Sequence, residues 1–374
     1  MVEYHIVNVV WGEQFVRLFL NDCLPYQFSP GNLPAIADRA RYRIFTTPAD
    51  AARIATHPTI NRLQQILPVD VVPALSEIWP DKYAAMNAAH RQAIADAART
   101  NAALLFLAPD IVVADGAFAA VQARAEAGVR ALLIAGYRVD RDAFLVALTK
   151  ATHGEESIMP RDLVRVSLPY LHPITRGLLW ETKHVDTTLP SHLYWQVGSG
   201  GLLARCFHLH PLFLAPRKRD LRTAVTIDHD AVERAGLRPG EVQIVDDSDE
   251  LMLVELSPSF RSVVRPLGRR ERIEQVAVWC QARTTTAHRA YAAHPIRYHS
   301  ADLDQSWTEI EAESGRVVAE ILSGCSKPKT RLRAWWLRRG ELFGALWARV
   351  VPRSVRRRVG PRRAIAALRR RVGR

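Results

Sequence analysis

Asn101-Ala-Ala-Leu-Leu-Phe-Leu-Ala-Pro-Asp-Ile-Val-Val-Ala-Asp-Gly116 is the stretch whose reading decides the fold. Leu104 to Leu107 is a short apolar run that predicts a buried strand, and the apolar pattern stops at Pro109-Asp110, so a carboxylate arrives at the strand's C-terminal end. In open α/β sheets, ligands bind in the crevice beyond that end of the strands. Lys82 to Ala103, rich in alanine and arginine with few breakers, predicts the helix that returns the chain to the start of the sheet. After the acid, Ile111-Val-Val-Ala-Asp-Gly116 turns, and Ala117 to Ala127 predicts the next helix.

Outward from this stretch the same alternation repeats. Ile6-Val-Asn-Val-Val10 is β-branched and ends at Trp11-Gly12, Glu13 to Leu24 has a helical apolar face, and Pro25, Pro30-Gly31-Asn32 and Pro34 break the chain before a strand at Tyr42 to Thr47. Asp50 to Ile66 predicts a helix, Val69 to Val72 a third strand, and Val129 to Ala135 a further one closed by Gly136. Later come a helix over Pro160 to Leu171, a strand over Glu250 to Ser257 and a helix over Arg269 to Trp279. Repeated strand–helix–strand units predict an α/β fold with a mostly parallel sheet flanked by helices. No Gly-x-Gly-x-x-Gly follows the first strand, which excludes the usual dinucleotide fingerprint, and no Gly-x-x-x-x-Gly-Lys is present for a phosphate loop.

The order of helix, apolar strand, acidic tip, Val-Val-x-Asp-Gly and helix resembles the metal-binding segment of GT-A-fold glycosyltransferases. Those enzymes typically read Phe-Leu-Asp-Ala-Asp-Val-Val-Val-x-Gly-Asp, and here the frame reads Phe106-Leu107-Ala108-Pro109-Asp110-Ile111-Val112-Val113-Ala114-Asp115-Gly116, with Ala108 in place of the first carboxylate. The resemblance implies a GT-A-like (Rossmann-like mixed) sheet and a nucleotide-sugar donor. It also implies a divalent cation, Mn or Mg, held by Asp110 to neutralise the departing diphosphate. By the same resemblance Val10, Trp11, Gly12, Thr46 and Thr47 line the nucleoside pocket and His90 and Arg91 contact the pyrophosphate. His208 or His210 closes the site as a second metal ligand, and Asp228 lies near the acceptor. His208 and His210 alternate on an extended segment, so one faces the site while the other packs.

Glu155, in the polar break His153-Gly-Glu-Glu-Ser157, is placed to deprotonate an acceptor hydroxyl, as is Asp228. The acidic run Asp246-Asp-Ser-Asp-Glu250 lacks the glycine and terminal glutamate of a calcium loop and reads as a solvated turn.

Composition sets the remaining bounds. Hydrophobic residues make up 48% of 374, enough for a substantial core. The four cysteines, Cys23, Cys206, Cys280 and Cys325, are far apart, which suggests neither a zinc site nor a disulfide framework and points to a reducing compartment. The N-terminus has no basic segment ahead of an apolar one, and no apolar run approaches the roughly 20 residues of a spanning helix. Of the net charge of +13, residues 327–374 carry +16, seventeen Lys and Arg against Glu341, so the body is slightly acidic.

The basic stretch predicts an amphipathic helix with Leu332, Trp335, Trp336, Leu342, Phe343, Leu346, Trp347 and Val350 at helical spacing and arginines between them. Tryptophans opposite arginines suit the interface of an anionic bilayer, the alternative being packing of this helix onto the body. Phosphate tracking along nucleic acid does not need such tryptophans, so nucleic acid is not the expected partner.

The expected organisation is a GT-A-like catalytic domain over 1–260, a helical extension over 261–326 and a membrane-associating tail over 327–374. The expected activity is transfer of a hexose from a nucleotide-sugar to a glycan or lipid-linked acceptor in cell-surface polysaccharide synthesis, at the inner, cytoplasmic face of the plasma membrane. A non-catalytic α/β scaffold, binding membrane or nucleic acid through its basic tail, is the competing expectation.

Overall fold

In a computed structural model, the structure describes residues 2–75, 82–186, 190–218, 221, 227, 230–238, 240–260 and 264–350, with side chains described to residue 339. Its strands are β1 (Tyr4–Val9), β2 (Ala40–Phe45), β3 (Val69–Val72), β4 (Ala103–Leu107), β5 (Ile111–Val113), β6 (Ala131–Ile134), β7 (Tyr137–Asp140) and β8 (His184–Asp186). Then follow β9 (His192–Val197), β10 (Gly201–Cys206), β11 (His210–Leu214), β12 (Val242–Ile244), β13 (Leu253–Ser257), β14 (Val264–Pro266) and β15 (Ile296–His299).

The central sheet has seven strands in the order β12-β6-β11-β4-β1-β2-β3. Pairing is parallel between β1 and β2, β1 and β4, β2 and β3, and β6 and β12, while β11 runs antiparallel to both of its neighbours. The expected class, a mixed, mostly parallel sheet flanked by helices, is what the chain adopts. β1 shows why: all six of its residues are buried, because helices cover both faces of the sheet. Its alternate residues serve two cores, Tyr4 and Ile6 with Tyr42, Leu105 and Phe213 on one face, Val7 and Val9 with Phe45, Leu104 and Leu133 on the other.

Several expected elements differ in their limits. The helix expected over Asp50 to Ile66 is two, Pro48–Ala55 and Pro58–Ile66, because Pro58 has no N–H to continue the first and His57 instead caps the second, its Nδ1 accepting from Thr59 N–H at 3.3 Å. The helix expected over Glu13 to Leu24 ends at Leu18 and widens into a π turn over Phe19–Cys23. The turn after Asp110 contains a strand, β5, which pairs with β13 in a second sheet of order β5-β13-β7.

The stretch 261–326 is not wholly helical. β14 pairs with β8, and β15 joins β10 and β9 in a third, antiparallel sheet. The helices Arg269–Arg283 and Gln305–Cys325 pack on that sheet around Trp195, Leu203, Phe207, Trp279 and Val317. Helix Pro328–Val350 follows and docks on Arg269–Arg283: Thr330 and Ala334 are buried, and Arg338 donates to the carbonyls of Ala282 and Gln281 at 2.7 and 2.6 Å. The residues one step round that helix are turned outward, with Leu332, Trp335 and Trp336 42–59% exposed. Among the described residues, no helix is long and apolar enough to cross a membrane.

Candidate active site

β4 ends at Leu107, and the turn after it places Asp110 beyond the C-terminal edge of the central sheet, between β4 and β13, with the Asp110 carbonyl accepting from Leu256 N–H at 2.7 Å. This is the edge where an α/β sheet presents its ligand site. The next carboxylate in the chain, Asp115, does not join it. Its Oδ1 accepts from Gly31 N–H at 2.7 Å and Gly116 N–H at 2.9 Å. The Pro30-Gly31-Asn32 break is thereby a lock: Asn32, fully buried, donates to the carbonyls of Ala114 and Tyr26 and accepts from Phe118 N–H.

Asp110 has charged neighbours from four elements. Arg138 of β7 and Lys82, at the start of helix Lys82–Thr100, pull its carboxyl down, and burial outweighs them and leaves it raised. Glu255 of β13 pairs with Arg138 at 2.8 Å. Burial, with Asp110's charge adding, pushes the Glu255 carboxyl up to about 7 against the pull of Arg138 and Lys82. On the other side lies the π turn, whose buried Cys23 thiol is raised by burial and by the charges of Asp110 and Asp22. Asp22 is itself raised by burial, with Arg17 and Arg141 opposing. The result is a set of carboxylates and guanidinium groups, partly withdrawn from water, at the mouth of the parallel strands. Clustered perturbed carboxyls in such a place are the usual mark of acid–base or ion-binding chemistry. Glu255 has no signal in the sequence reading, since only tertiary pairing of β13 with β5 and β7 brings it to Asp110.

The expected donor-pocket residues sit at the tips of β1 and β2. Val10 is fully buried, Trp11 half-buried, and Gly12 donates to Asp50 Oδ2 at 2.8 Å. Thr47 donates to the same oxygen at 3.0 Å, so Asp50 ties the two tips together. The Thr46 hydroxyl is fully buried with no hydrogen-bond partner among the described residues.

The remaining expected residues scatter. His90 faces inward: it is 8% exposed, its Nδ1 accepts from Ile227 N–H at 3.1 Å, and burial lowers its pKa to about 4, so it is neutral at physiological pH. Arg91 is exposed, and so is Glu155 in its turn. His208 packs against Trp279 and His288, 5.0 and 5.1 Å between ring centres, and its Nε2 lies 3.3 Å from the Arg283 carbonyl. His210 opens β11 and pairs with Ile134, the last residue of β6, so it stands at the same edge of the sheet as Asp110. Asp228 lies outside the described residues.

Of the two candidate histidines, His208 is the one that packs and His210 the one that stands at the edge Asp110 occupies. Among the described residues the three-ligand group is Asp247, Asp249 and His299. It lies by the end of β12, three strands along the sheet from β4 and about 14 Å away at the usual strand spacing. The acidic run 246–250 is a turn, with Asp249 exposed and Asp247 Oδ1 2.9 Å from His299 Nε2.

No family model matches the chain. No curated protein matches it either. Among solved structures it is similar to S. aureus TarS, with a TM-score of 0.29 and 12% identity over 95% of this chain and 50% of that one. It is also similar to TarS 1-349, with a TM-score of 0.29 and 11% identity over 92% of this chain and 81% of that one. The chain spans about half the length of the first of these. At that level of likeness, function rests on the site itself.

Proposed function

We propose that the chain is a GT-A-like glycosyltransferase that binds a nucleotide-sugar at the C-terminal edge of its central sheet and passes the sugar to a glycan or lipid-linked acceptor. The observation that carries this reading is the Asp110–Glu255 carboxyl pair set among Arg138 and Lys82 beyond the end of β4. Glycosyl transfer breaks the bond between the anomeric carbon and the diphosphate, and an acceptor hydroxyl oxygen forms the new bond. Two charges therefore have to be managed: the negative charge growing on the diphosphate and the proton leaving the hydroxyl.

Arg138 and Lys82 supply positive charge where a diphosphate departs. A carboxylate is a hard oxygen ligand of the type that Mg or Mn takes, so Asp110 fits a divalent cation, which when bound would neutralise the diphosphate further, while Glu255 is left free of it. In this reading Glu255, with its carboxyl near 7, accepts the acceptor's proton. Glu155 and Asp228 are the competing bases. In this reading Trp11, Gly12 and Thr47 form the wall for the nucleoside with Val10 and Thr46 buried behind them, Arg91 contacts the pyrophosphate, and His210, at the same edge as Asp110, is the histidine that approaches the donor. The exposed Trp335 and Trp336, with the arginines around them, fit an anionic membrane surface at the cytoplasmic face, where a lipid-linked acceptor in polysaccharide synthesis would be met.

The test is donor binding. UDP-, GDP-, dTDP- and CMP-sugars are screened for thermal stabilisation with and without Mn²⁺, on the wild type, Asp110→Ala, Glu255→Gln, Glu155→Gln and Asp228→Asn. One donor is expected to raise Tm in the wild type and to lose that effect in Asp110→Ala. Stabilisation by none of them, or equal stabilisation of Asp110→Ala, favours a scaffold that holds membrane or nucleic acid through its basic tail.

A further inference from the structure

We infer that Asp247, Asp249 and His299 form a second site, for a zinc-class divalent cation, that pins β15 to the turn after β12. His299 is the last residue of β15 and only 3% exposed. Its Nε2 lies 2.9 Å from Asp247 Oδ1 and 4.0 Å from Asp249 Oδ2, and the three ligand atoms all lie within 4.8 Å of one another. Four-coordinate zinc with arms of about 2.1 Å sets its ligand atoms about 3.4 Å apart, within the range spanned here.

The ring's other nitrogen decides what can occupy the space. Nδ1 is 2.7 Å from the Ala301 carbonyl oxygen, which only accepts, so Nδ1 carries the proton. Nε2, the nitrogen not taken up by that carbonyl, is the one that faces the carboxylates, 2.9 Å from Asp247 Oδ1. A backbone carbonyl that fixes the tautomer and orientation of an imidazole is also the arrangement that supports metal-bound histidine.

The ligands are held before any ion arrives. Trp307 packs edge-on to the ring at 6.0 Å, and the His299 N–H donates to the Ser248 hydroxyl at 3.1 Å. Asp249 N–H donates to Asp247 Oδ1 at 2.8 Å, and Arg161 grips Asp249 through both of its oxygens while also reaching Asp302. One imidazole and two carboxylates favour zinc, with manganese next, over calcium or magnesium, which prefer oxygen alone.

An ion here would join two sheets, since the aspartates follow a strand of the central sheet and the histidine ends a strand of the third. The inference does not depend on the donor-binding reading. It is tested on the full chain, freed of metal with a chelator, by calorimetric titration with Zn²⁺ alone and Mn²⁺ alone. One tightly bound Zn²⁺ per chain is expected at this site, together with a rise in Tm, and any further, weaker Mn²⁺ event that Asp110→Asn removes belongs to the donor site and not to this one. His299→Ala and Asp247→Asn should each weaken Zn²⁺ binding at least tenfold, and Asp110→Asn should leave it unchanged. Asp247→Asn covers the case in which the buried histidine cannot be replaced without unfolding. Absence of saturable Zn²⁺ binding, Zn²⁺ binding that survives Asp247→Asn, or Zn²⁺ binding lost in Asp110→Asn overturns the inference.

Discussion

Glu255 keeps its proton to about pH 7 because burial disfavours the anion and Asp110 repels it, with Arg138 and Lys82 opposing both. A base of that kind is protonated, and inactive, below its pKa. On the proposed function, kcat/KM should therefore rise with pH through about 7 and then level. Glu255→Gln should lower kcat by about 10²- to 10⁴-fold, the usual worth of a positioned base, and flatten the profile. A profile that keeps its rise in this variant would move the role to Glu155 or Asp228. His90 shows how far one residue's setting can depart from its place in the chain. It sits on an alanine-rich helix beside Arg91, where the resemblance implies a pyrophosphate contact, yet the ring lies edge-on to Phe106 at 5.4 Å and bonds to Ile227, 137 positions away.

Among the elements, the turn that carries Asp110 depends on a loop far from it in sequence. Gly31 lies so close to Gly116 that an added Cβ would come within 2.6 Å of its backbone, a contact that neither backbone can relieve cheaply. Gly116 has φ +88° at the head of helix Ala117–Glu126, a conformation that glycine takes without strain. Asp115→Ala removes the acceptor of two N–H groups, and each left unsatisfied costs about 1–3 kcal/mol. Gly31→Ala forces the loop off the turn. Both variants should lower the denaturation midpoint in urea, and Asp115→Ala, read by near-ultraviolet dichroism, should do so without loss of the native spectrum. An unchanged midpoint in Asp115→Ala would show that the lock does not hold the turn. The strand, the acidic tip and the following helix were all legible at 101–116 from apolar runs and breakers. The pairing of β5 with β13 was not, because a three-residue strand has too little pattern to announce itself.

At the scale of the whole molecule, the C-terminal helix is shared between two surroundings. Thr330, Ala334 and Arg338, spaced one turn apart, face helix Arg269–Arg283, while Leu332, Trp335 and Trp336 face outward. Docking on the body and an outward apolar stripe are therefore compatible on one helix. Removal of residues 328–374 should release the protein from liposomes rich in anionic lipid, and Trp335→Ala with Trp336→Ala should weaken sedimentation with them while leaving Tm near that of the wild type. Persistent sedimentation of the truncated chain would assign attachment to another surface. From its own pattern the sequence determined the alternation of strands and helices, the acid at the end of an interior strand and the basic, tryptophan-bearing C-terminus, because periodicity and breakers act over a few residues. Only the tertiary structure decided that Glu255 and Arg138 stand beside Asp110, that Asp115 and Asn32 serve the loop rather than a ligand, and that His299 meets Asp247. Those contacts join residues tens to more than a hundred positions apart, and their partners are chosen by strand order and packing, which no local pattern encodes.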